Sequence, residues 1–422
     1  MKPTYFTCTL GQADALNLTN ESFSNINQFI ADLAEAIPLQ PAVAFGKPCS
    51  EQNEPWASSI WTFRDVLEGS RTLAAILNTE YGPSLSASKT VALICPSTPE
   101  FLFTWLALMQ LGHAVLLIAP QCQPAAIAHL CKACDATAIF HDGTYVAQTT
   151  EAVELASKGG AQLNSLALPF DDRHSLVQVL SQQVNDLPTT VNIDKTDVAY
   201  LHHTSGTSSG VPKPIPQTHR AGAGVLPAFP EGKHAATFTT TPLYHGGIAD
   251  LFRAWASGAL IWLFPGKGVP ISAHNIVKCL DVGAQASEQH QLPPIKYFSS
   301  VPYVLQMLEA DVRGLRFLQK MDIVGVGGAA LPTEVGDRLV GNGVNLISRF
   351  GSAECGFLMS SHRDYAEDKE WQYLRSNDGT ELLGFEKHES GLHELVVLHG
   401  WPHMVCFPES CLPNSEVFLT TK

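Results

Sequence analysis

Along much of the chain, segments in which apolar residues recur at helical spacing alternate with short, continuously apolar runs. Apolar residues recur at helical spacing over Phe63–Leu77, with Thr62 as a suitable N-cap, and over Glu100–Leu111. Short apolar runs at Val91–Cys95 and Ala114–Ile118 are typical of buried strands. Helices that alternate with strands in this way predict a parallel sheet that is covered on both faces.

A further helix and strand extend this first block, and a second alternating block follows a polar connector at about residues 180–195. The extending elements are Pro124–Cys134 and Ala136–Phe140, and the later apolar runs are Ala236–Thr240, Leu251–Ser257, Ala259–Phe264, Tyr297–Ser299, Met321–Val326 and Asn345–Ser348. Beyond Gly379 the runs are short and split by Gly and Pro, which indicates a β-rich unit.

We therefore predict an α/β fold with two α/β subdomains, whose sheets are stacked and mostly parallel, and a small β-barrel-like subdomain. Their predicted extents are residues 1–190, 191–379 and 380–422. The length of 422 residues agrees with several units, because a single core rarely grows so large.

The charge balance changes which partners are expected. Lys plus Arg number 26 against 40 for Asp plus Glu, a formal net charge of −14. Such a chain has no general attraction for nucleic acid or for anionic membranes, so we predict neither as a partner. An anionic ligand would need backbone dipoles and a few well-placed cations.

Two features of the sequence resemble membrane or metal signals. The apolar stretch Phe101–Pro120 is interrupted by Gly112 and His113, so a helix followed by a strand explains it better than a membrane span. Cys131 and Cys134 form a CxxC pair without a second pair at zinc spacing, which favours two cysteines at a helix end. The N-terminus lacks a signal-peptide pattern, so we expect reduced thiols and a cytoplasmic location.

The most informative stretch is the loop Thr204-Ser-Gly-Thr-Ser-Ser-Gly-Val-Pro-Lys213, which follows a predicted strand at Val198–Leu201. Glycines let consecutive backbone N–H groups point at one oxyanion, hydroxyls add neutral donors, and Lys213 adds a cation. This combination is suited to holding a polyphosphate.

Other interpretations of this loop remain open at the level of the pattern. The Walker A spacing is absent. The segment from Gly206 to Gly210 fits G-x-S-x-G, which would make Ser208 the nucleophile of a serine hydrolase. A surface linker is the plainest alternative, although the preceding strand and the Pro-Lys-Pro ending disfavour it.

Three further motifs follow the loop in order, and together they resemble the adenylate-forming superfamily of acyl-CoA synthetases, luciferases and peptide-synthetase adenylation domains. They are Thr241-Pro-Leu-Tyr-His-Gly246, Val326-Gly-Gly-Ala-Ala-Leu331 and Phe350-Gly-Ser-Ala-Glu354. The resemblance runs from about Phe63 onward. Within the superfamily, Pro-Lys-Pro-Ile215 followed by Gln217-Thr-His219 looks more like fungal synthetase-like enzymes of the carboxylic acid reductase type than like stand-alone CoA ligases, which remain the alternative.

The resemblance implies the following nucleotide site. The phosphates of ATP would be held by Thr204, Ser205, Gly206, Thr207, Ser208, Ser209, Gly210 and Lys213. Adenine would lie against Gly327, Gly328 and Ala329 with the Phe350 ring on its other face, near Gly351, Ser352 and Ala353. Glu354 would bind Mg²⁺, which prefers carboxylate oxygen.

The same resemblance places His245 beside the substrate carboxylate as a catalytic residue. The acyl group would then contact His245, Gly246, Asp250, Ser300, Gly327, Arg349 and Phe357. Amino-acid-activating relatives have an Asp where Gly246 stands, so we predict an acid without an α-amino group, plausibly an aromatic one. Asp250, one helical turn further on, is the residue that would contradict this prediction if its carboxylate paired with a substrate ammonium. Arg349 either meets a second polar group of the substrate or points to solvent.

Some features depart from the family pattern. The loop is one residue longer between Gly206 and Gly210, and Ala353 stands where a Thr hydroxyl is usual, with Ser352 as the candidate replacement. A ribose-binding Asp and a mobile C-terminal subdomain with a catalytic Lys are not present up to Lys422, so we expect this chain to bind ligands, adenylate weakly and act as a monomer. A phosphopantetheine carrier in cis and NADPH-dependent reduction would belong to further domains.

Overall fold

The structure, a computed structural model, describes residues 2–49, 56–86, 89–170, 174–184, 191–204, 211–375, 382–387, 391, 393–398, 400–403 and 416–419. Its strands are β1 Pro41–Lys47, β2 Ala57–Thr62, β3 Thr90–Ile94, β4 Ala114–Ile118, β5 Ala138–His141, β6 Asn164–Ala167, β7 Val198–His203, β8 Pro214–Thr218, β9 Ala236–Thr239, β10 Ile261–Leu263, β11 Ile295–Ser300, β12 Ile323–Val326, β13 Leu346–Ser352, β14 Gly356–Ser360, β15 Leu383–Lys387, β16 His393–Leu398 and β17 Glu416–Leu419.

The α-helices connect these strands and cover the faces of the sheets. They are α1 Leu10–Ala15, α2 Ile26–Ala36, α3 Phe63–Leu85, α4 Pro99–Gln110, α5 Pro124–Ala133, α6 Val146–Lys158, α7 Leu176–Leu180, α8 Gly247–Ala256, α9 Ala273–His290, α10 Pro302–Ala310, α11 Val312–Lys320 and α12 Thr333–Gly341.

The larger of the two main sheets has eight strands in the order β14-β13-β12-β11-β9-β10-β1-β2. The six strands from β13 to β1 are parallel, and β14 and β2 are antiparallel edges. The carboxyl ends of β9, β11, β12 and β13 therefore meet at one edge of this sheet, where open α/β sheets bind their ligands.

The second main sheet has six strands in the order β6-β5-β3-β4-β7-β8, and only the β7–β8 pair is antiparallel. β3 and β4 are buried at four of their five positions each, so both faces of these strands are covered. That burial explains why they appear in the sequence as continuous apolar runs rather than as alternating ones. The two sheets confirm the predicted α/β fold with mostly parallel strands.

Some strands lie on the opposite side of the predicted division at residue 190. β1 and β2 pair within the eight-stranded sheet, although they precede residue 190, and β7 and β8 close the six-stranded sheet, although they follow it. Sheet membership depends on pairing between distant segments, which a local sequence pattern does not reveal. The domain extents therefore stay a prediction.

The strands β15, β16 and β17 form a separate antiparallel sheet within the predicted β-rich stretch.

Local sequence signals set several element boundaries. Thr62 caps α3 in a full capping box with Asp65, as its position suggested. The apolar stretch at 101–120 divides into α4 and β4 at Gly112, which has a φ of +84°. Within the described ranges, no helix combines the length and apolar character needed to cross a membrane.

The CxxC pair lies at a helix end, as expected. Cys131 is in α5 and Cys134 is its C-cap, and both thiols are free. Burial raises the pKa of Cys131 to about 12 and that of Cys134 to about 11. No cluster of three or more metal-ligating side chains occurs in the part of the chain that the structure describes.

Candidate active site

The glycine- and hydroxyl-rich loop begins and ends on the β7–β8 hairpin. The backbone N–H of Thr204 donates to the Lys213 carbonyl oxygen at 2.9 Å, and the Lys213 N–H donates to the Thr204 hydroxyl at 2.9 Å. These bonds fix the base of the loop. The predicted phosphate contacts Ser205, Gly206, Thr207, Ser208, Ser209 and Gly210 lie outside the described residues. Lys213 is exposed, so its ammonium is available to an anion.

The segment after β9 places His245 against this hairpin. The His245 ring lies 6.0 Å from the His203 ring and 5.0 Å from the Tyr244 ring, measured between centroids. Burial, and after it the neighbouring His203, lower the pKa of His245 to about 4. The imidazole is therefore neutral near pH 7, so it can donate or accept a hydrogen bond but adds no positive charge to the site.

The turn after β12 has the open backbone that a flat aromatic ligand needs. Gly328 has a φ of +78°, which glycine adopts without strain. The Gly327 N–H donates to the Ser300 carbonyl at 3.1 Å, and a Cβ on Gly327 would lie 3.0 Å from the Arg349 carbonyl oxygen. Gly328 and Ala329 are exposed. The half-buried Phe350 follows Arg349 on β13. The adenine contacts of these residues stay a prediction.

Glu354 lies between β13 and β14 in a turn that is held from both sides. The Gln217 side-chain amide donates to the Ala353 carbonyl at 2.6 Å, and the Trp401 indole N–H donates to the Cys355 carbonyl at 2.8 Å. The half-buried Glu354 carboxylate has no hydrogen bond or ion pair with any residue that the structure describes. A fixed, unpaired carboxylate is a suitable ligand for Mg²⁺.

Ser352 lies at the end of β13, next to Ala353. Its Oγ accepts a hydrogen bond from the Cys355 N–H at 3.2 Å, and its side chain also bonds the side chain of Cys355. Gly351 is needed here because a Cβ would collide with the Gly356 carbonyl oxygen. The role of Ser352 beside Ala353 stays a prediction.

Arg349 and Asp250, whose roles the sequence left open, form an ion pair. Arg349 Nη1 lies 2.9 Å from Asp250 Oδ1 and donates to Ser299 Oγ at 2.9 Å, while Asp250 Oδ2 accepts from the Thr239 hydroxyl at 3.0 Å. The side chains are 13% and 7% exposed. Arg349 therefore does not point to solvent, and both Asp250 oxygens already have partners.

The other predicted acyl contacts surround this pair. The Phe357 ring lies 4.9 Å from the guanidinium carbon of Arg349. Gly246 is exposed, and its carbonyl accepts from the Asp250 N–H at 3.2 Å. Ser300 is buried, and its hydroxyl bonds that of Thr240 at 2.9 Å. Ser299, rather than Ser300, supplies the hydroxyl that meets Arg349.

Sequence reasoning assigned no role to several residues that contact the site. Gln217 and Trp401 hold the Glu354 turn, Ser299 and Thr239 hold the ion pair, and Phe6 stacks on Arg349 with the ring centroid 4.6 Å from the guanidinium carbon. In the sequence, Gln217 was noted only as part of the Gln217-Thr-His219 stretch that resembles fungal synthetase-like enzymes. For Phe6, no local signal exists, because its contact lies hundreds of positions away.

The four motif segments are thus connected by contacts at or next to them. His203 at the end of β7 lies against His245, Gln217 on β8 holds the carbonyl before Glu354, and Gly327 lies close to Arg349 on β13. The arrangement brings the base of the phosphate loop, the open glycine turn and a free carboxylate to the carboxyl ends of two sheets. This is the position of ligand sites in open α/β folds.

Several known enzymes resemble this chain in fold or in sequence. The fold is similar to that of the o-succinylbenzoate CoA synthetase of Bacillus subtilis, with a TM-score of 0.66 at 14% identity, covering 93% of this chain and 74% of that one. The chain is 28% identical over 305 residues to the non-canonical non-ribosomal peptide synthetase ascB of Acremonium egyptiacum, covering 69% of this chain and 26% of the relative. It is 26% identical over 366 residues to a carboxylic acid reductase of Neurospora crassa, covering 80% of this chain and 31% of the relative.

The fold and the site define an adenylate-forming, ligase-type domain. A family model described as AMP-binding enzyme matches residues 50–379, most of the 422-residue chain, and the protein belongs to that family. The chain spans 26% and 31% of the length of the two curated relatives. The match does not support the hydrolase interpretation of Ser208.

Proposed function

We propose that this chain activates a carboxylic acid lacking an α-amino group, plausibly an aromatic one, as its acyl-adenylate. A carboxylate oxygen would bond to the α-phosphorus of ATP while the bond from that phosphorus to the pyrophosphate oxygen breaks. Enzymes of this kind accelerate such transfers chiefly by positioning and by stabilising the phosphoryl charge.

The observation that carries the proposal is that the β7–β8 hairpin, whose base contains Lys213, also holds the turn of Glu354 through the bond from Gln217 to the Ala353 carbonyl, while Gly327 lies close to Arg349 on β13. Lys213 and the loop would hold the phosphates, and Glu354 would hold Mg²⁺, which neutralises the departing pyrophosphate. The half-buried, neutral His245 would orient the substrate carboxylate by a hydrogen bond rather than attract it by charge. Binding of ATP and Mg²⁺ is supported by the exposed Lys213, the open backbone at Gly328 and a Glu354 carboxylate that has no partner among the described residues.

Two arguments support an acid without an α-amino group. Gly246 offers no carboxylate to an ammonium. Asp250, the nearest alternative, has both oxygens bonded, to Arg349 and Thr239. Burying an ammonium without a free counter-charge is unfavourable.

The names of the curated relatives support the later fate of the adenylate. A non-ribosomal peptide synthetase and a carboxylic acid reductase are among them. Transfer to the phosphopantetheine thiol of a carrier domain in cis, followed by NADPH-dependent reduction, is therefore part of the proposal for the longer protein.

The first experiment is calorimetric binding of ATP to wild type, Glu354→Gln and Glu334→Gln, with and without Mg²⁺. Glu334 is an exposed carboxylate in the first turn of α12, so its variant is the matched control. We expect Glu354→Gln to weaken Mg·ATP binding about tenfold or more, because a lost carboxylate ligand is costly. Equal affinity of Glu354→Gln and wild type for Mg·ATP would refute the metal role.

A second experiment compares hydrolysis-resistant acyl-adenylate analogues that carry either an aryl or an α-aminoacyl group. We expect the aryl analogue to bind at least about tenfold more tightly, as sites without a partner for a buried charge reject it strongly. Preference for the aminoacyl analogue would contradict the substrate assignment and leave the adenylation proposal intact.

A further inference from the structure

The first residues of the chain pack against Arg349, one of the predicted acyl contacts, although they precede the family match at residues 50–379. Tyr5 and Phe6 are each 1% exposed. The Tyr5 hydroxyl bonds the Thr237 hydroxyl at 2.9 Å and donates to the Ala235 carbonyl at 3.0 Å. The segment is therefore fixed to the start of β9, the strand that leads to His245.

A buried arginine of α8 also anchors this segment. Arg253 Nη1 donates to the carbonyl oxygens of Tyr5, at 3.2 Å, and of Cys8, at 2.6 Å. Burial, and after it the charge of the neighbouring Arg349, lower the pKa of Arg253 to about 10. The anchor lies one turn after Asp250 on the same helix, so the N-terminal segment and the ion pair are supported by one element.

Phe6 and Phe357 enclose the guanidinium of Arg349. The Phe6 ring centroid lies 4.6 Å from the guanidinium carbon and the Phe357 centroid 4.9 Å from it. Phe6 is held in turn by stacking on Tyr297, at 5.1 Å between centroids. Gly325 provides the room, because a Cβ there would lie 2.7 Å from Arg349 Cδ and 2.9 Å from Phe6 Cζ.

The pair that this enclosure holds has no net charge. Arg349 contributes one positive charge and Asp250 one negative charge, and Ser299 and Thr239 occupy further hydrogen-bonding positions. Removing Asp250 would leave the largely buried Arg349 charge without its carboxylate partner, and removing Arg349 would leave Asp250 with the Thr239 hydroxyl and the charge of the nearby Arg253. The unpaired partner would then favour a ligand that carries the opposite charge.

We propose that Phe6 is a positioning residue of the acyl site, which clamps Arg349 onto Asp250 so that the site accepts acids whose only charged group is the carboxylate being activated. The proposal rests on the adenylation function above, which places these side chains around the acyl group. A site of this kind excludes substrates that carry a second carboxylate, and it also excludes substrates that carry an ammonium. Specificity of this kind comes from the cost of an unmatched buried charge.

The test uses three sulfamoyladenosine analogues in calorimetry: benzoyl, 4-carboxybenzoyl and 4-(aminomethyl)benzoyl. Wild type should bind the benzoyl analogue at least about tenfold more tightly than either charged one. Asp250→Asn leaves Arg349 unpaired and should bring the 4-carboxybenzoyl analogue to equal or tighter binding. Arg349→Met removes the ion-pair partner of Asp250. This variant should bring the 4-(aminomethyl)benzoyl analogue to equal or tighter binding than the benzoyl analogue.

Two further variants keep the test decisive if a single charge variant does not fold. The double variant Asp250→Asn with Arg349→Met removes both charges and should regain the preference for the benzoyl analogue. Phe6→Leu keeps an apolar side chain but loses the stacked ring, and should reduce the discrimination several-fold at unchanged fold. Glu309→Gln, which breaks the bidentate pair with Arg338 on the surface, is the control for an ordinary lost ion pair.

The outcomes separate the two proposals. If the benzoyl analogue and unsubstituted sulfamoyladenosine both fail to bind wild type, the adenylation function fails. The proposal is overturned if wild type binds the benzoyl analogue but Asp250→Asn and Arg349→Met leave the charge preference unchanged. It is also overturned if Phe6→Leu discriminates between the analogues as strongly as wild type. Opposite changes of preference in the two single variants, together with reduced discrimination in Phe6→Leu, support it.

Discussion

At the scale of single residues, the Glu354 carboxylate depends on neighbours that do not touch a ligand. The carbonyl before it accepts from Gln217 and the carbonyl after it accepts from Trp401. These two bonds fix the peptide groups on either side of Glu354, and so the position from which its side chain extends. A ligand held in this way loses less conformational entropy when it binds a cation.

Replacing Gln217 by Leu should therefore weaken Mg·ATP binding about fivefold, the equivalent of about 1 kcal/mol for one lost hydrogen bond. Calorimetry in Mg²⁺ measures the change. Gln319→Leu is the control, because its side-chain amide donates to the Asn342 carbonyl at 2.7 Å on a remote surface. Unchanged nucleotide binding with a lower free energy of unfolding would mean that Gln217 only supports the fold.

At the scale of elements, turns between strands hold the site together, and glycines make those turns possible. The β13–β14 hairpin brings Gly351 so close to the Gly356 carbonyl oxygen that no Cβ fits between them. The turn before α8 is similar, since a Cβ on Gly247 would overlap the Thr241 carbonyl. In both places the contact is with backbone, which cannot move aside as a side chain does.

The variant Gly351→Ala should lower the free energy of unfolding by about 1–3 kcal/mol, because the added methyl group forces the hairpin apart. Chemical denaturation measures the loss. Gly341→Ala, at the end of α12, is the matched control, since a Cβ there meets nothing within 4 Å. There we expect no loss, because alanine is the better helix former. Equal stability of the two variants would contradict the steric argument.

At the scale of the whole molecule, the interior holds several neutral histidines. Burial is the first cause that lowers the pKa to about 4 for each of His202, His219, His245 and His403. An unfolded histidine has a pKa near 6.5, so between pH 6.5 and 4 the unfolded chain binds protons that the folded chain does not. Acid therefore favours unfolding in that window.

We expect the free energy of unfolding to fall as the pH drops from 6.5 toward 4, by about 1.4 kcal/mol per pH unit for each such imidazole. Above pH 6.5 this contribution is constant. Urea unfolding at pH 7.5, 6.0 and 5.0 measures the slope. His202→Gln should reduce the slope, whereas His129→Gln, on the exposed face of α5, should not. Identical slopes in wild type and His202→Gln would disprove the assignment for His202.

The local pattern was enough to predict most of the elements that build the site. The helix capped by Thr62, the strand before the phosphate loop and the glycine turn after β12 all follow from nearest-neighbour chemistry. Helix caps, buried apolar runs and positive φ values are decided within a few residues. For the same reason, the order of the motifs sufficed to identify the adenylate-forming class.

What only the tertiary structure decided is which distant residues meet. Arg349 and Asp250 are 99 positions apart, and Arg253 reaches Tyr5 across 248 positions. The strands β1 and β7 likewise joined sheets on the other side of the expected domain boundary. A sequence lists the charges, but whether an arginine meets a substrate or an aspartate depends on packing between remote segments. The ordered motifs that identify the AMP-binding family were therefore legible in the sequence, while the pairing of Arg349 with Asp250 arose only on folding.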